Sequence, residues 1–174
     1  MNVTLMIALT ADGKIAKDAS HYPDWTGSAD KKMFKQITLD AGVIIMGSAT
    51  YTTIGKPLPN RRNIVLTRRK DRVSSYDHLE YTNDQPIEII KKLESEGFNS
   101  AILIGGAQIN TLFAKAGLIN ELILTYCPTI FGSGLSLFTE SLELDLELLA
   151  MKQLEPDVFC THYRVICGDE HAKS

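Results

Sequence analysis

Cysteine is scarce in this chain: Cys127, Cys160 and Cys167 are the only three. An odd number without Cys-x-x-Cys spacing argues against a disulfide scaffold and supplies no zinc motif. The three are read as buried apolar thiols. Long apolar runs are missing as well, since a membrane-spanning helix needs ~20 apolar residues. The N-terminus enters Val3-Thr4-Leu5-Met6-Ile7-Ala8-Leu9 with no basic leader before it. Neither a signal peptide nor a membrane span is expected, and the cytoplasm is the default location. Positive charge is not in excess: the net charge is -3, which gives nucleic acid and anionic membranes no general foothold. His21, His78, His162 and His171 are spaced neither as metal ligands nor as a triad, and are read as surface or structural. No Ser or Cys occupies a Gly-x-Ser-x-Gly turn, so a nucleophile elbow is missing too.

What is present is an ordinary globular balance, 44% hydrophobic and 22% charged over 174 residues, with length for one sizeable core. The expected organisation is a single domain over residues 1–168 and a polar tail over 169–174, without repeats or linkers. Residues 3–9 read as a buried strand, and Asp12-Gly13 then signals a turn in a long loop. Ser28 is expected to cap a helix over residues 29–39, with Met33, Phe34 and Ile37 facing inward. Residues 42–46 read as a second buried strand, after which Ser48 caps a short helix to Ile54. Strands follow at 63–67 and 78–82, a helix at 86–96, a strand at 101–104, a helix at 108–116 and a strand at 121–127. Residues 146–154 and 158–166 read as antiparallel partners. Strands separated by helices predict an α/β fold: a mostly parallel central sheet, flanking helices and an antiparallel C-terminal hairpin. Ligands are expected beyond the carboxyl ends of the strands.

Several residues could carry chemistry. Asp30 shares a helix face with Phe34 and Ile37, so it points inward. A half-buried carboxylate has a raised pKa unless something compensates. A heterocycle with adjacent N–H donors would do so, because a carboxylate accepts two parallel bonds. The alternative is a first-turn Asp that complements the helix dipole. Trp25, the single tryptophan, is either an anchor for its polar loop or a lid whose indole N–H holds a water. Pro57 and Pro59 fix the approach to Arg61, which suits a held guanidinium that pairs bidentately with a carboxylate. Arg61, Arg62, Arg68, Arg69, Lys70 and Arg72 form a basic cluster, a solvated edge on one reading and an anion site on the other. Gly105-Gly106 lies between a strand and a helix, where N–H groups can bind a pyrophosphate. Gly47-Ser48-Ala49-Thr50 is a second such turn, and the two together suit one extended dinucleotide. Either alone is equally a tight strand-to-helix turn.

The order of Trp25-Thr26-Gly27-Ser28-Ala29-Asp30, Gly47-Ser48-Ala49-Thr50-Tyr51 and Ile54-Gly55-Lys56-Pro57-Leu58-Pro59-Asn60-Arg61-Arg62-Asn63 resembles dihydrofolate reductase. The resemblance covers residues 3–69 and resumes over 102–125. It implies a dihydrofolate reductase-like fold, a small-molecule substrate, NADPH as cofactor, and a monomer or homodimer. It implies hydride transfer to C6 of the dihydrofolate pterin, N5 gaining a proton from water, to give tetrahydrofolate. Asp30 would orient the pterin, Thr125 would bond that carboxylate, and Trp25 would cover the site. The implied substrate pocket is Met6, Ala8, Asp30, Phe34, Ile54, Leu58, Arg61, Ile104 and Thr125, with Arg61 on the glutamate tail of folate. The implied NADPH site is Ala8, Ile15, Ala16, Gly47, Ser48, Ala49, Thr50, Leu66, Thr67, Arg68, Ile104, Gly105, Gly106, Ala107, Gln108 and Ile109.

Three positions depart from that pattern. Ser48 replaces an Arg or Lys, which leaves Arg68 or Arg69 to meet a 2′-phosphate. Lys31 replaces an apolar residue, and Asn110 an aromatic one. Residues 8–16 and Pro128-Thr129-Ile130-Phe131-Gly132-Ser133-Gly134 look instead like riboflavin-pathway pyrimidine reductases. Those share the fold and NADPH, and reduce a ribosylated aminopyrimidine phosphate at its sugar. Asp30 fits both groups; residues 57–63 favour folate and the Phe131 segment the pyrimidine. A non-catalytic ligand-binding domain on the same scaffold would be expected to lose Asp30, Trp25 or the Gly-Gly turn, and all three are present.

Overall fold

The runs richest in Val, Ile, Leu and Met become the middle of one sheet. The computed structural model describes residues 1–69 and 71–166. Lys70, Cys167, His171 and the tail expected over 169–174 lie outside the described residues. Along the chain stand β1 (Asn2–Thr10), β2 (Lys14–Ala16), α1 (Gly27–Ala41), β3 (Val43–Gly47), α2 (Ser48–Ile54), β4 (Arg62–Leu66) and β5 (Leu79–Thr82). They are followed by α3 (Pro86–Ser95), β6 (Ser100–Leu103), α4 (Ala107–Lys115), β7 (Glu121–Cys127), β8 (Leu135–Ser136), β9 (Asp145–Glu155) and β10 (Val158–Ile166).

Eight strands form a sheet in the order β5-β4-β3-β6-β1-β7-β10-β9. The pairs from β5 to β7 are parallel; β10 joins β7 antiparallel, and β9 closes the hairpin. Val43, Ile44, Ile45 and Met46 are wholly buried, as a central parallel strand covered on both faces requires. On one face Ile89, Ile90 and Leu93 of α3 and Phe113 of α4 pack with Leu5, Ile45 and Leu103. On the other, Met33, Phe34 and Ile37 of α1 and Tyr51 and Ile54 of α2 pack with Met6, Ile44 and Ile102.

The strands and helices lie within about two residues of the expected spans, but both expected serine caps fail. Gly27, with φ of 82°, turns the chain into α1, so Ser28 is already helical and α1 has no local side-chain cap. Ser28 Oγ and the Ala29 N–H instead donate to the Glu155 carboxylate, at 3.1 and 2.9 Å. Ser48 is likewise inside α2, whose N-cap is the extended Gly47. The loop expected from Thr10 contains β2, which pairs with β8 in a small second sheet.

Candidate active site

β3, β4 and β6 end along one edge of the sheet, and a cleft of about 1180 Å³ opens there. Met6, Ala8, Phe34, Ile54, Leu58 and Ile104 give it an apolar wall, and Asp30 lies among them. The first turn of α1 delivers this carboxylate to a position only 9% exposed. Burial raises its pKa above the ordinary carboxylate value. The hydroxyls of Thr125 and Thr26 and the charge of Lys31 oppose the shift, and Glu155 adds to it. Thr125 stands behind Asp30 on β7, almost fully buried and in register with Ala8 of β1. Burial, helped by Asp30, pushes the Cys127 thiol up to about 11, so this cysteine is a poor nucleophile.

Trp25 also lines the cleft. Its ring meets Phe131 edge-on, with centroids 5.3 Å apart, and its buried Nε1 finds no acceptor among the described residues. Phe131 further meets His21 edge-on at 5.2 Å and lies under the Lys17 ammonium at 5.2 Å. Asp12 fixes this segment by accepting the N–H groups of Phe131 and Gly132 at 3.3 and 2.8 Å. The Phe131 segment is therefore part of the support for Trp25.

The two glycine turns are bonded to each other. The Gly47 N–H donates to the Gly105 carbonyl at 2.9 Å, and the Gly106 N–H to Thr50 Oγ1 at 2.9 Å. A side chain on Gly47 would bring Cβ within 2.9 Å of Ile109 Cγ1. Ala107 and Gln108 open α4 and line the cleft; their N–H groups have no acceptor within the helix. Arg68, Arg69 and Arg72 border the cleft beyond β4. Asn110 is fully buried, and its amide donates to the Leu137 carbonyl at 2.9 Å.

Every residue expected to meet the dinucleotide lines this one cleft, as do the expected substrate residues apart from Thr125 and Arg61. Arg61 is buried and points toward α1. Its Nε donates to the Pro59 carbonyl at 3.0 Å and a terminal nitrogen to the Thr38 hydroxyl. It borders a separate depression with Pro59, Asn60, Arg62, Asp77 and His78. The Pro59 carbonyl of the proline-bracketed turn accepts from the guanidinium, whose direction no local signal encodes. Sequence reasoning missed Thr26, Tyr22, Asn83, Gln85 and Glu140, and His21, read as surface or structural, lines the cleft. Thr26 was the findable one, being adjacent to Trp25 and one turn before Asp30; the rest reach the cleft only through tertiary folding.

Residues 2–154 match the family model described as dihydrofolate reductase. Dihydrofolate reductase type 3 of Salmonella typhimurium is 33% identical over 150 residues, covering 82% of this chain and 86% of that protein. Uncharacterized protein YwjB of Bacillus subtilis is 28% identical over 159 residues, covering 86% and 90%. Among solved structures, RibD of Acinetobacter baumannii superposes with a TM-score of 0.80 at 19% identity, over 95% of this chain and 58% of that one. A pyrimidine reductase-like protein of Corynebacterium diphtheriae superposes with a TM-score of 0.77 at 14% identity, over 95% and 92%. Fold, cleft and family match together define an α/β oxidoreductase. The chain belongs to the dihydrofolate reductase family.

Proposed function

We propose that this protein reduces dihydrofolate to tetrahydrofolate with NADPH, in the cytoplasm. The observation that carries this reading is the buried Asp30 carboxylate, set among Met6, Phe34, Ile54 and Leu58 with Thr125 and Thr26 beside it. It is one flat acceptor pair in an apolar slot, the complement of a heterocycle that offers two adjacent N–H donors.

The donor set suits the cofactor. The first N–H groups of α4, at Ala107 and Gln108, are free to meet a pyrophosphate. Gly47 and Gly106 keep side chains out of the turns beside them, and Arg68 and Arg69 are at hand for a 2′-phosphate where Ser48 offers no charge. When bound, NADPH supplies the hydride. Asp30 holds the pterin ring in one orientation and, with its pKa raised by burial, favours the protonated ring. The unpartnered Trp25 indole N–H holds a water for delivery of the proton. Met6, Phe34, Ile54 and Leu58 keep bulk water off the reacting face. Arg61 commits one guanidinium nitrogen to Thr38 and Nε to Pro59, and its remaining donors are assigned to a substrate carboxylate. Rate then comes from orientation and fixed electrostatics.

A second reading, reduction of a ribosylated aminopyrimidine phosphate, is favoured by the Phe131 segment packed on Trp25 and by Arg61 standing apart from the cleft wall. The test is the fall in NADPH absorbance with purified protein and each substrate in turn. Consumption with dihydrofolate alone supports the proposal. Consumption with the pyrimidine alone replaces it by the second reading.

A further inference from the structure

The arginines between residues 61 and 72 are not used alike. Arg61 is committed to Pro59 and Thr38, and Arg62 to Glu80 and Glu96 at 2.6 and 2.9 Å. Arg68, Arg69 and Arg72 border the cleft beyond β4. Arg68 and Arg69 are exposed, whereas Arg72 is half-buried. Its guanidinium lies over the Tyr81 ring, 5.4 Å from the centroid. Asp84 and Glu140 line the same cleft, yet among the described residues the arginines paired with a carboxylate are Arg62 and Arg164.

The sheet explains how Arg72 comes to be held. Val65 of β4 is opposite Tyr81 of β5, and Leu66 opposite Thr82. The Thr67 N–H then donates to the Thr82 carbonyl at 2.8 Å, so the loops leaving β4 and β5 open onto one end of the cleft. Tyr81 packs on the face that carries α2, where its ring meets Tyr51 edge-on with centroids 5.7 Å apart. Burial, and next Tyr81, push the Tyr51 phenol up to about 12, with Arg72 opposing, so Tyr51 stays neutral. The series Arg72, Tyr81, Tyr51 ties a cation to α2, whose first residue is Ser48. Ser48 is the position where the resembled pattern has an Arg or Lys.

A guanidinium over an aromatic ring uses its charge there and keeps its N–H donors for another partner. Those donors form a planar fork that suits a phosphate. A side chain already held loses less freedom on binding than exposed ones do, and the exposed charges of Arg68 and Arg69 are more fully screened by salt. The group that Arg72 meets is not the one at α4. That helix follows β6, which stands three strands from β5, or roughly 14 Å at the usual strand spacing. We propose that Arg72 is the residue by which this chain selects a dinucleotide bearing a 2′-phosphate, doing from the β4–β5 side what Ser48 cannot do from α2. Tyr81 is the positioning residue that holds it. This assignment rests on the reading of the cleft as a dinucleotide site.

The test is the dissociation constant of NADPH and of NADH, each followed by quenching of Trp25 fluorescence. The proteins are the wild type, Arg72→Gln, Tyr81→Leu and Tyr81→Phe, each verified as folded by unchanged circular dichroism. The wild type is expected to prefer NADPH. Arg72→Gln is expected to weaken NADPH about tenfold or more and to leave NADH unchanged. Tyr81→Leu is expected to lose NADPH affinity in the same selective way, and Tyr81→Phe, which keeps the ring, to retain it. A merely structural role would move both dinucleotides together. Equal weakening of NADPH and NADH in Arg72→Gln, or no weakening of either, overturns the assignment. A wild type that binds both dinucleotides equally overturns it too, and leaves the cleft a dinucleotide site. A wild type that binds neither overturns the reading of the cleft, and the assignment with it.

Discussion

The carboxylate of Glu155, the last residue of β9, accepts the Ala29 N–H at 2.9 Å and so joins the C-terminal hairpin to the turn that carries Asp30. It also accepts from Ser28 Oγ. These bonds, the Ala29 N–H first, hold the Glu155 pKa below the ordinary glutamate value. A depressed folded pKa means that the stabilisation is present above the unfolded glutamate value and is lost as pH falls through the folded one. Glu155→Ala is expected to melt lower than wild type at neutral pH, and Glu155→Gln, which keeps an acceptor, to lie between. Melting curves across the acid range check this: the gap between wild type and Glu155→Gln narrows as pH falls. A gap independent of pH contradicts an ionised cap.

Asp30 has the opposite sign. Its pKa is raised, first by burial, so the folded state binds the proton more tightly than the unfolded chain. Stability therefore falls as pH climbs from the ordinary aspartate value through the raised one. Asp30→Asn removes the buried charge and is expected to melt higher than wild type at neutral pH, the difference vanishing in acid. A variant less stable than wild type at neutral pH contradicts the burial penalty.

The contact between the glycine turns gives a prediction for cofactor binding. Gly47→Ala puts a methyl 2.9 Å from Ile109 Cγ1, and such overpacking costs about 1–3 kcal/mol. It should lower stability and weaken NADPH binding together. Quenching of Trp25, the single tryptophan and a cleft residue, reads the binding directly. Unchanged NADPH affinity would remove the Gly47 turn from the proposed cofactor site.

Arg61 separates a held carboxylate binder from a structural arginine. Thr38→Val removes the acceptor of its buried guanidinium and is expected to cost about 1–3 kcal/mol. Arg61→Leu is expected to raise KM at least tenfold for dihydrofolate while leaving KM unchanged for a pterin that lacks the glutamate tail. Equal loss on both substrates would mean that Arg61 serves only the fold.

The sheet and its crossovers were legible because Val43, Ile44, Ile45, Met46 and their like form continuous apolar runs bounded by glycine. The cleft lining was legible too, through the resemblance that orders Trp25, Asp30 and the two glycine turns. What escaped sequence reading depends on distant pairing. Ser28 has the chemistry of a cap, yet Glu155 takes the position from 127 residues further along. Pro57 and Pro59 announce a stiff turn at Arg61, but the direction of its guanidinium depends on Thr38 of a different element. The Phe131 segment carries a second resemblance, and its role against Trp25 emerges only when Asp12 draws the two loops together.

The central claim is that Asp30 holds the substrate for hydride transfer. The most direct measurement is the turnover of Asp30→Asn with NADPH and dihydrofolate, with NADPH binding followed separately through Trp25 fluorescence. NADPH affinity is expected to stay unchanged and turnover to fall about 10²–10⁴-fold. Turnover equal to wild type, at the same NADPH affinity, would contradict it.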